Sequence, residues 1–346
     1  MSTPPNRVDS LGRHDAWDGV HAVVLGIGAS GFAAADNLTH QGAQVTVLDE
    51  SAEDGEREER GTLLEILGAD VRLGPGSTAT LPDLTDVVVT SAGWPPAAPP
   101  VEEARGLAIP VWGDVDLAWR LRDPNHPAAW LAVAGAAGTA TTGRMLDYAL
   151  RAHGLRSVVC GQAGLPLVEA VMDPTPHEVF VVTLSALQLH YSRVMAAESA
   201  VVLEVGDAPP DAYTSFERYL ADQGRVYEQV GRACVYNVAD PRTERLVRDA
   251  DVQEGARAVG FTLGPPDVGM VGVVDQILVD RAFVEERRTS AAELCTVTDL
   301  ASDAPRFVAD ALAAAALARA HGVPPVAVRN GLRAFEPQGG DADGDV

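Results

Sequence analysis

Short apolar runs alternate with longer amphipathic stretches from residue 21 onward. His21–Leu25 (HAVVL) is a run typical of a buried strand, the stretch 32–42 (FAAADNLTHQG) has helical spacing, and Gln44–Leu48 predicts the next strand. Strands that alternate with helices predict an α/β fold built on a parallel sheet. Three further strand-like runs follow at 70–73, 86–91 and 107–111.

A glycine-rich turn joins the first strand to the first helix. The turn reads GIGASG over 26–31, and the second strand ends at Asp49. Glycines let backbone amides approach a ligand at a helix N-terminus, and an acid at this distance suits a ribose or base contact. We therefore predict a Rossmann-like domain over residues 18–124, after a polar leader over residues 1–17. A tight turn without a ligand is the alternative.

Two prolines interrupt regular structure over 122–127 (RDPNHP), and this segment therefore predicts a linker. Strand-like and helical stretches alternate again beyond it, including an alanine-rich helical stretch over 307–320. We therefore predict a second α/β domain over 125–336. The acidic tail 337–346 is expected to be disordered.

The second domain begins with a strand, a glycine-containing loop and a helix. The strand is 129–134 (AWLAVA), the loop is 135–142 (GAAGTATT), and the helix is 144–153. This order is that of a phosphate-binding loop at a helix N-terminus. Such a loop carries GK[ST], whereas Thr139 and Ala140 stand here, so the usual ammonium and the magnesium-binding hydroxyl are missing.

The charge of the chain limits its partners. All 26 basic residues are arginines, and 49 acidic residues give a formal net charge of −23. Such a charge repels a phosphate backbone, so we expect no nucleic-acid partner. No apolar run approaches the roughly 20 residues of a spanning helix and no signal peptide is evident, so we expect no membrane contact and a cytoplasmic protein. The dispersed cysteines and histidines predict no metal site.

Several motifs carry a resemblance to a known family. In chain order they are VLGIGASG, VVVTSAGWPP, WLAVAGAAGTATT, GQAGLP, LSALQLH, CVYNVADP and VRNGLRAF. Over about residues 18–336 the chain resembles the Mur ligase family of peptidoglycan synthesis, and within it the branch that adds D-glutamate. The resemblance implies a UDP-binding Rossmann-like first domain, a central domain of the P-loop type, and ligation through an acyl phosphate made from ATP. The family's third domain is expected to be absent, because the chain stops shortly after LRAF.

The resemblance also implies departures from the family's catalytic pattern. Thr139 and Ala140 replace the lysine and hydroxyl residue of the phosphate loop, and Thr183 replaces a magnesium-ligating glutamate. Pro209 occupies the position of a histidine that lies near metal and substrate in the family. Gln223 occupies the position of a lysine that family members carbamylate. We therefore predict a degenerate phosphate loop, with no catalytic residue, no metal site and no cofactor. The residues of this loop are Gly135, Gly138, Thr139, Ala140 and Thr141.

The positions near the uridine diphosphate keep more of the family pattern. A turn or helix cap without a ligand is the alternative reading of each of them. The resemblance implies UDP-sugar contacts at Gly28, Ser30, Gly31, Asp49, Ser91, Gly93, Ser185 and Gln188.

Three hypotheses of function follow. We predict a non-catalytic homologue, a pseudoenzyme, that binds a UDP-N-acetylmuramoyl-type ligand or a protein partner and has a binding or regulatory role linked to peptidoglycan precursor synthesis. The alternative is an active ATP-dependent amide ligase, for D-glutamate addition or a related specialised-metabolite ligation, with Arg144 and Arg306 in place of lysine at the phosphates. Only this alternative calls for ATP and Mg. An inert remnant of a truncated gene is the third hypothesis.

Overall fold

The structure, a computed structural model, describes residues 7–51 and 55–338. The start of the predicted leader and most of the predicted tail, residues 1–6 and 339–346, lie outside the described residues. The chain divides into two compact units, and two later segments belong to the first of them. Unit 1 comprises Met1–Pro127, Leu165–Pro174 and His190–Met195, and unit 2 comprises Ala128–Gly164, Thr175–Leu189 and Ala196–Val346.

Strands and helices alternate along most of the chain. The strands are β1 His21–Leu25, β2 Gln44–Asp49, β3 Asp70–Leu73, β4 Val87–Thr90, β5 Val111–Gly113, β6 Ala129–Ala134, β7 Ser157–Gly161, β8 Val179–Leu184, β9 Ser199–Val202, β10 Ala233–Asn237, β11 Arg257–Phe261, β12 Met270–Val274, β13 Ile277–Asp280 and β14 Ala292–Thr296. The helices are α1 Ala29–His40, α2 Gly55–Leu67, α3 Pro99–Gly106, α4 Asp114–Leu121, α5 Thr139–Ala152, α6 Leu167–Met172, α7 Ala186–Tyr191, α8 Phe216–Gly224, α9 Pro241–Asp249, α10 Pro305–His321 and α11 Pro325–Ala334.

Unit 1 contains a parallel sheet with the strand order β3-β2-β1-β4-β5. All four residues of β4 and four of the five in β1 are buried. Continuous apolar runs of this kind suit strands that are covered on both faces. The predicted α/β fold with a Rossmann-like first domain is confirmed.

Unit 2 contains a larger sheet with the order β14-β13-β12-β11-β10-β9-β6-β8-β7. The strands are parallel from β7 to β12, whereas β13 and β14 pair in antiparallel fashion. Helices α5, α10 and α11 pack against one another, and α10 is buried along most of its length. Its run of alanines allows this close packing because the side chains are small.

One predicted strand and the predicted start of one helix are wrong. The predicted strand 107–111 does not form: α3 ends at Gly106, Leu107 is 63% exposed, and Ala108 has a positive φ of 56°. The chain turns there, and β5 begins only at Val111. The helix predicted from residue 144 begins earlier, at Thr139, directly after a left-handed glycine. Within the described ranges, no helix is long and apolar enough to cross a membrane.

Candidate functional site

The turn between β1 and α1 has room only for glycine at two positions. A Cβ atom on Gly26 would lie 2.4 Å from Ser91 Oγ, and one on Gly31 would lie 1.9 Å from the carbonyl oxygen of Gly26. Gly26 also has a positive φ of 93°. In contrast, no atom lies within 4 Å of a Cβ built on Gly28. The turn is therefore tightly packed on one side and open at Gly28, where a ligand can approach the backbone.

Asp49 and Ser30 bond to backbone amides of the loops at this edge of the sheet. Asp49 is 8% exposed; its Oδ2 accepts a hydrogen bond from Ile27 N at 2.9 Å, and its Oδ1 accepts one from Ser51 N at 2.9 Å. Ser30 Oγ accepts from Ala92 N at 3.2 Å. These side chains hold the glycine turn and the loop after β4 in place, so each has a structural role beside its predicted ligand contact.

The loop between β6 and α5 has the backbone of an anion-binding loop. Gly135 and Gly138 both have positive φ, 152° and 79°, and α5 begins at Thr139. The first N–H groups of a helix have no carbonyl partner within the helix, and they carry the positive end of its dipole. Thr141 lies in this first turn and is buried. The loop can therefore bind a phosphate through backbone groups alone.

A carboxylate and an arginine lie close to this loop. A Cβ atom on Gly138 would lie 2.5 Å from Asp310 Oδ1, so the absence of a side chain there makes room for that carboxylate. Arg306, one turn earlier on α10, donates from Nη2 to Glu204 Oε1 at 2.6 Å. The backbone oxygen of Glu204 in turn accepts from Ala136 N at 3.0 Å. Glu204 therefore links Arg306 to the loop.

The other predicted arginine has a different environment. Arg144 Nη2 donates to the carbonyl oxygen of Glu336 at 2.7 Å, and its guanidinium lies 5.0 Å from the ring of Phe335. These contacts place its side chain against the segment that follows α11. Sequence reasoning missed Arg242, which donates to Asp240 Oδ1 at 2.7 Å and to the carbonyl oxygen of Gly206 at 3.2 Å. The VADPR segment after β10 was the only available signal for it.

Thr183 takes part in the packing of the unit 2 sheet. Its side chain is fully buried; Oγ1 accepts from Ala163 N at 2.8 Å and lies 3.2 Å from the carbonyl oxygen of Cys160. A Cβ atom on Gly161 would lie 2.2 Å from the carbonyl oxygen of Thr183. The hydroxyl thus ties β8 to the loop that follows β7, and it is neutral, whereas the glutamate that the family places here is an anion.

Ser185 and Gln188 form a reciprocal pair at the start of α7. Ser185 N donates to Gln188 Oε1 at 3.0 Å, and Gln188 N donates to Ser185 Oγ at 3.2 Å. This is the arrangement of a capping box, in which two orphan amides of a helix end are satisfied by side chains. Gln188 is only 1% exposed. Both residues therefore cap the helix, in addition to their predicted contact with a sugar.

Gln223 is buried on α8 with one polar atom that lacks a partner. Its Nε2 donates to Tyr219 Oη at 3.1 Å, while Oε1 has no hydrogen-bond partner. The side chain is 1% exposed. Tyr219 Oη lies 4.0 Å from the position of a Cβ on Gly206, next to the segment that contacts Ala136. An amide at this position orients Tyr219 near the phosphate loop.

The described residues contain no cluster of three or more side chains that could hold a metal ion. All three cysteines are buried thiols. Burial raises the pKa of Cys160 above its ordinary range and raises the pKa values of Cys234 and Cys295 to about 12. The cysteines therefore remain protonated at neutral pH, which is the wrong state for metal binding.

Comparison with known proteins reveals close relatives. The chain is 51% identical, over 93% of its length and 68% of the relative's, to the UDP-N-acetylmuramoylalanine--D-glutamate ligase of Streptomyces avermitilis. It is 50% identical, over the same shares, to the protein of that name in Streptomyces coelicolor. A relative of the same name in Thermobifida fusca is 43% identical over 92% of this chain. No protein-family profile matches the chain.

Two solved structures share the fold. The UDP-N-acetylmuramate:L-alanyl-gamma-D-glutamyl-meso-diaminopimelate ligase from Neisseria meningitides matches 92% of this chain and 99% of its own, with a TM-score of 0.57 and 19% identity. UDP-N-acetylmuramate-alanine ligase MurC from Thermotoga maritima matches 91% of this chain with a TM-score of 0.51 and 17% identity. At these identities the likeness concerns the fold alone.

The comparisons contradict two predictions drawn from the motif substitutions. The relatives that share 51% and 50% of their aligned residues with this chain are named as ligases, and no finding supports a role without catalysis. The predicted pseudoenzyme is therefore wrong, as is the prediction that the chain is not an enzyme. The label of a degenerate phosphate loop is not supported either, because backbone amides and a helix end bind phosphate without a lysine.

Proposed function

We propose that this chain, which belongs to the family of the UDP-N-acetylmuramoylalanine--D-glutamate ligases, is an ATP-dependent carbon–nitrogen ligase with altered catalytic residues. It joins D-glutamate, or a closely related amino acid, to the carboxylate of a UDP-muramoyl substrate. The observation that carries the proposal is the 51% identity over 93% of the chain to a relative with this name. Because both UDP-sugars and ATP are cytoplasmic nucleotides, the proposed reaction takes place in the cytoplasm.

Unit 1 supplies the proposed uridine diphosphate contacts. The open space beside Gly28 supports this role, since a phosphate can approach the N-terminus of α1 there. Asp49 keeps the turn in shape through Ile27 N and retains lone pairs on both oxygens for a ribose hydroxyl. The proposed contact residues of this unit are Gly28, Ser30, Gly31, Asp49, Ser91 and Gly93.

Unit 2 supplies the proposed ATP site. The loop from Gly135 to Gly138 and the first turn of α5 offer backbone N–H groups to the phosphates. Arg306 is the proposed cation, because its guanidinium carries five N–H donors and lies beside the loop through its bond to Glu204. Positive charge that is already in place when negative charge develops lowers the barrier of phosphoryl transfer.

The residues at the loop fit a magnesium ion that is held mainly by the nucleotide. Magnesium commonly binds through one or two carboxylates together with substrate phosphates and water. Asp310, 7% exposed and adjacent to Gly138, provides such a carboxylate. Thr183 does not fit this role, since its hydroxyl is used within the sheet. When bound, the ion would neutralise phosphate charge.

The test is a coupled assay of ADP formation by the purified chain with MgATP, UDP-N-acetylmuramoyl-L-alanine and D-glutamate. We expect ADP and the ligated product to form in equal amounts. The variant Arg306→Gln is expected to lower kcat by about 10²-fold, because one preorganised electrostatic contact is worth about 10²–10³ in rate. Arg248→Gln is the matched control, since Arg248 is 70% exposed and pairs with Glu244 on the outside of α9.

Absence of ADP and of ligated product under these conditions would contradict the proposed activity. A normal rate in Arg306→Gln would leave the ligase intact but remove Arg306 from the phosphate site. Product formation with L-glutamate in preference to D-glutamate would change the substrate while the reaction class stays the same. Equal losses in the Arg306 and Arg248 variants would show a general effect of net charge.

A further inference from the structure

A cavity lined by arginines lies in unit 2, with a volume of about 480 Å³. Three arginines line it, Arg232, Arg257 and Arg319, together with Phe283 and three glycines. None of its lining residues is acidic. The chain carries 49 acidic residues and a net charge of −23, and two of these arginines have carboxylate partners outside the lining of the cavity.

The cavity lies at the edge of the sheet where the parallel strands begin. Arg232 immediately precedes β10, and Arg257 is the first residue of β11. The phosphate loop after β6 follows the other end of a strand in the same parallel array. The two places are therefore on opposite edges of one sheet, and the cavity is separate from the proposed ATP site.

Arg319 is part of the framework of the cavity. Its side chain is 11% exposed, and Nε donates to Asp280 Oδ2 at 2.8 Å, where the carboxylate is fully buried. Nη1 donates to the carbonyl oxygen of Val323 at 2.7 Å. This arginine neutralises a buried acid and fixes the last turn of α10, so most of its donors are already used.

Arg232 and Arg257 use fewer of their N–H donors within the protein than Arg319 does. Arg232 Nη1 donates to the carbonyl oxygens of Ala320 and His321, at 3.0 and 3.2 Å, and lies 3.6 Å from Glu198 Oε1. Arg257 makes one long bond, 3.4 Å, from Nη1 to the carbonyl oxygen of Ala282.

The guanidinium of Arg257 lies 4.9 Å from the centre of the Phe283 ring. Among the described residues no carboxylate forms an ion pair with Arg257, so its remaining donors have no anionic partner. A guanidinium that is stacked on a ring and unpaired by a carboxylate is preorganised to receive an oxyanion.

We propose that this cavity binds the phosphate group of a small organic phosphate monoester. The guanidinium fork of Arg257 matches the oxygens of a phosphate, and a phosphate monoester carries about −1.5 to −2 charges that can pair with this guanidinium. The volume lies in the range of ligand pockets, roughly 300–1,000 Å³, and exceeds what a bare anion needs. Phe283 offers an apolar face for the organic portion, and the glycines leave the wall without side chains that would fill the space.

Isothermal titration calorimetry with phenyl phosphate tests the proposal, since this probe combines a phosphate monoester with a ring for Phe283. We expect saturable binding that weakens as ionic strength rises, and tighter binding of phenyl phosphate than of inorganic phosphate or benzoate. Arg257→Gln is expected to weaken the binding of phenyl phosphate at least tenfold, because a charge-assisted pair is lost. Arg257 is exposed, so the variant is expected to keep its melting temperature.

Arg245→Gln is the matched control, because Arg245 is 71% exposed and pairs with Asp249 on α9. The titration is repeated with saturating MgATP and in Arg306→Gln, where the affinity for phenyl phosphate should not change. Displacement by ATP would assign the heat to the nucleotide site and overturn the proposal. Equal weakening in the Arg257 and Arg245 variants, or no saturable binding, would also overturn it. Equal affinity for inorganic and phenyl phosphate would reject an organic monoester as the ligand.

Discussion

The carboxylate of Asp49 and the backbone amide of Ile27 form a hydrogen bond of 2.9 Å between the end of β2 and the glycine turn. The second oxygen accepts from Ser51 N, also at 2.9 Å. Because the side chain is only 8% exposed, loss of this acceptor leaves a buried amide without a partner. Asp49 therefore determines the shape of the turn before any ligand arrives.

Replacement of Asp49 by alanine is expected to lower the free energy of unfolding by about 1–3 kcal/mol, the cost of an unsatisfied buried donor. Asp49→Asn keeps an acceptor at the same place and is expected to lose less. Urea unfolding followed by circular dichroism measures both. Asp70→Ala is the control: Asp70 is 53% exposed and pairs with Arg72, which is itself half exposed, so a change within about 0.5 kcal/mol is expected. Equal losses at the two sites would contradict the role given to Asp49.

Two glycines of the same turn are expected to respond differently to one added methyl group: one substitution lowers stability, and the other lowers affinity for the ligand. Gly31→Ala would place a Cβ 1.9 Å from a backbone oxygen, which cannot move without displacing the turn. We expect a loss of about 1–3 kcal/mol or more in the free energy of unfolding. Gly28→Ala meets no atom within 4 Å and is expected to fold normally while it weakens binding of the UDP-sugar. Thermal melting and calorimetry separate the two effects, and a stable Gly31→Ala variant would refute the packing account.

The buried Asp116 on α4 is expected to make stability depend on pH. Burial raises the pKa of its carboxyl above the ordinary 3.8, although hydrogen bonds from Arg193 N and Val194 N act in the opposite direction. In the folded state the proton is therefore held at pH values where the unfolded chain has released it. The contribution of Asp116 to stability consequently falls as pH rises from about 3.8 through the raised pKa.

Asp116→Asn removes this titration and keeps an oxygen that accepts from Arg193 N. The free energy of unfolding of Asp116→Asn, minus that of the natural chain, is expected to increase with pH above 3.8 and then to level off. Urea titrations at intervals from pH 4 to 7 measure this difference. A difference for Asp116 that stays constant, or declines with pH, would contradict a raised pKa.

Thr139→Lys tests whether the missing ammonium group of the phosphate loop limits the rate of ATP turnover. An ammonium at the first residue of α5 would add positive charge to the existing backbone donors, and we expect kcat/KM for ATP to rise about tenfold or more. Thr80→Lys, at an exposed position of unit 1, adds the same charge elsewhere and should change little. An unchanged rate in Thr139→Lys would show that another group already supplies the charge.

The apolar runs determined where most strands of the parallel sheets lie. His21–Leu25 and Ala129–Ala134 form strands with the predicted bounds, since uninterrupted apolar residues are stable only where both faces of a sheet are covered. The run 107–111 was wrongly predicted to be a strand. It follows the end of a helix and contains a residue with positive φ, and hydrophobicity alone cannot distinguish this arrangement from a strand. The motif order established the family, whereas substitutions at single motif positions wrongly suggested a loss of activity.

What only the tertiary structure decided is which side chains meet. Asp49 was predicted from its spacing, but its bond to Ile27 N depends on how β1 and β2 pair. Arg144 and Arg306 were both candidates for the phosphates in sequence, yet one contacts Phe335 and the other Glu204. The arginine cavity joins residues 232, 257 and 319, which no local pattern relates. Periodicity reports only the burial of neighbouring residues, while contacts across a sheet depend on strand order and register, and these emerge when the whole chain packs.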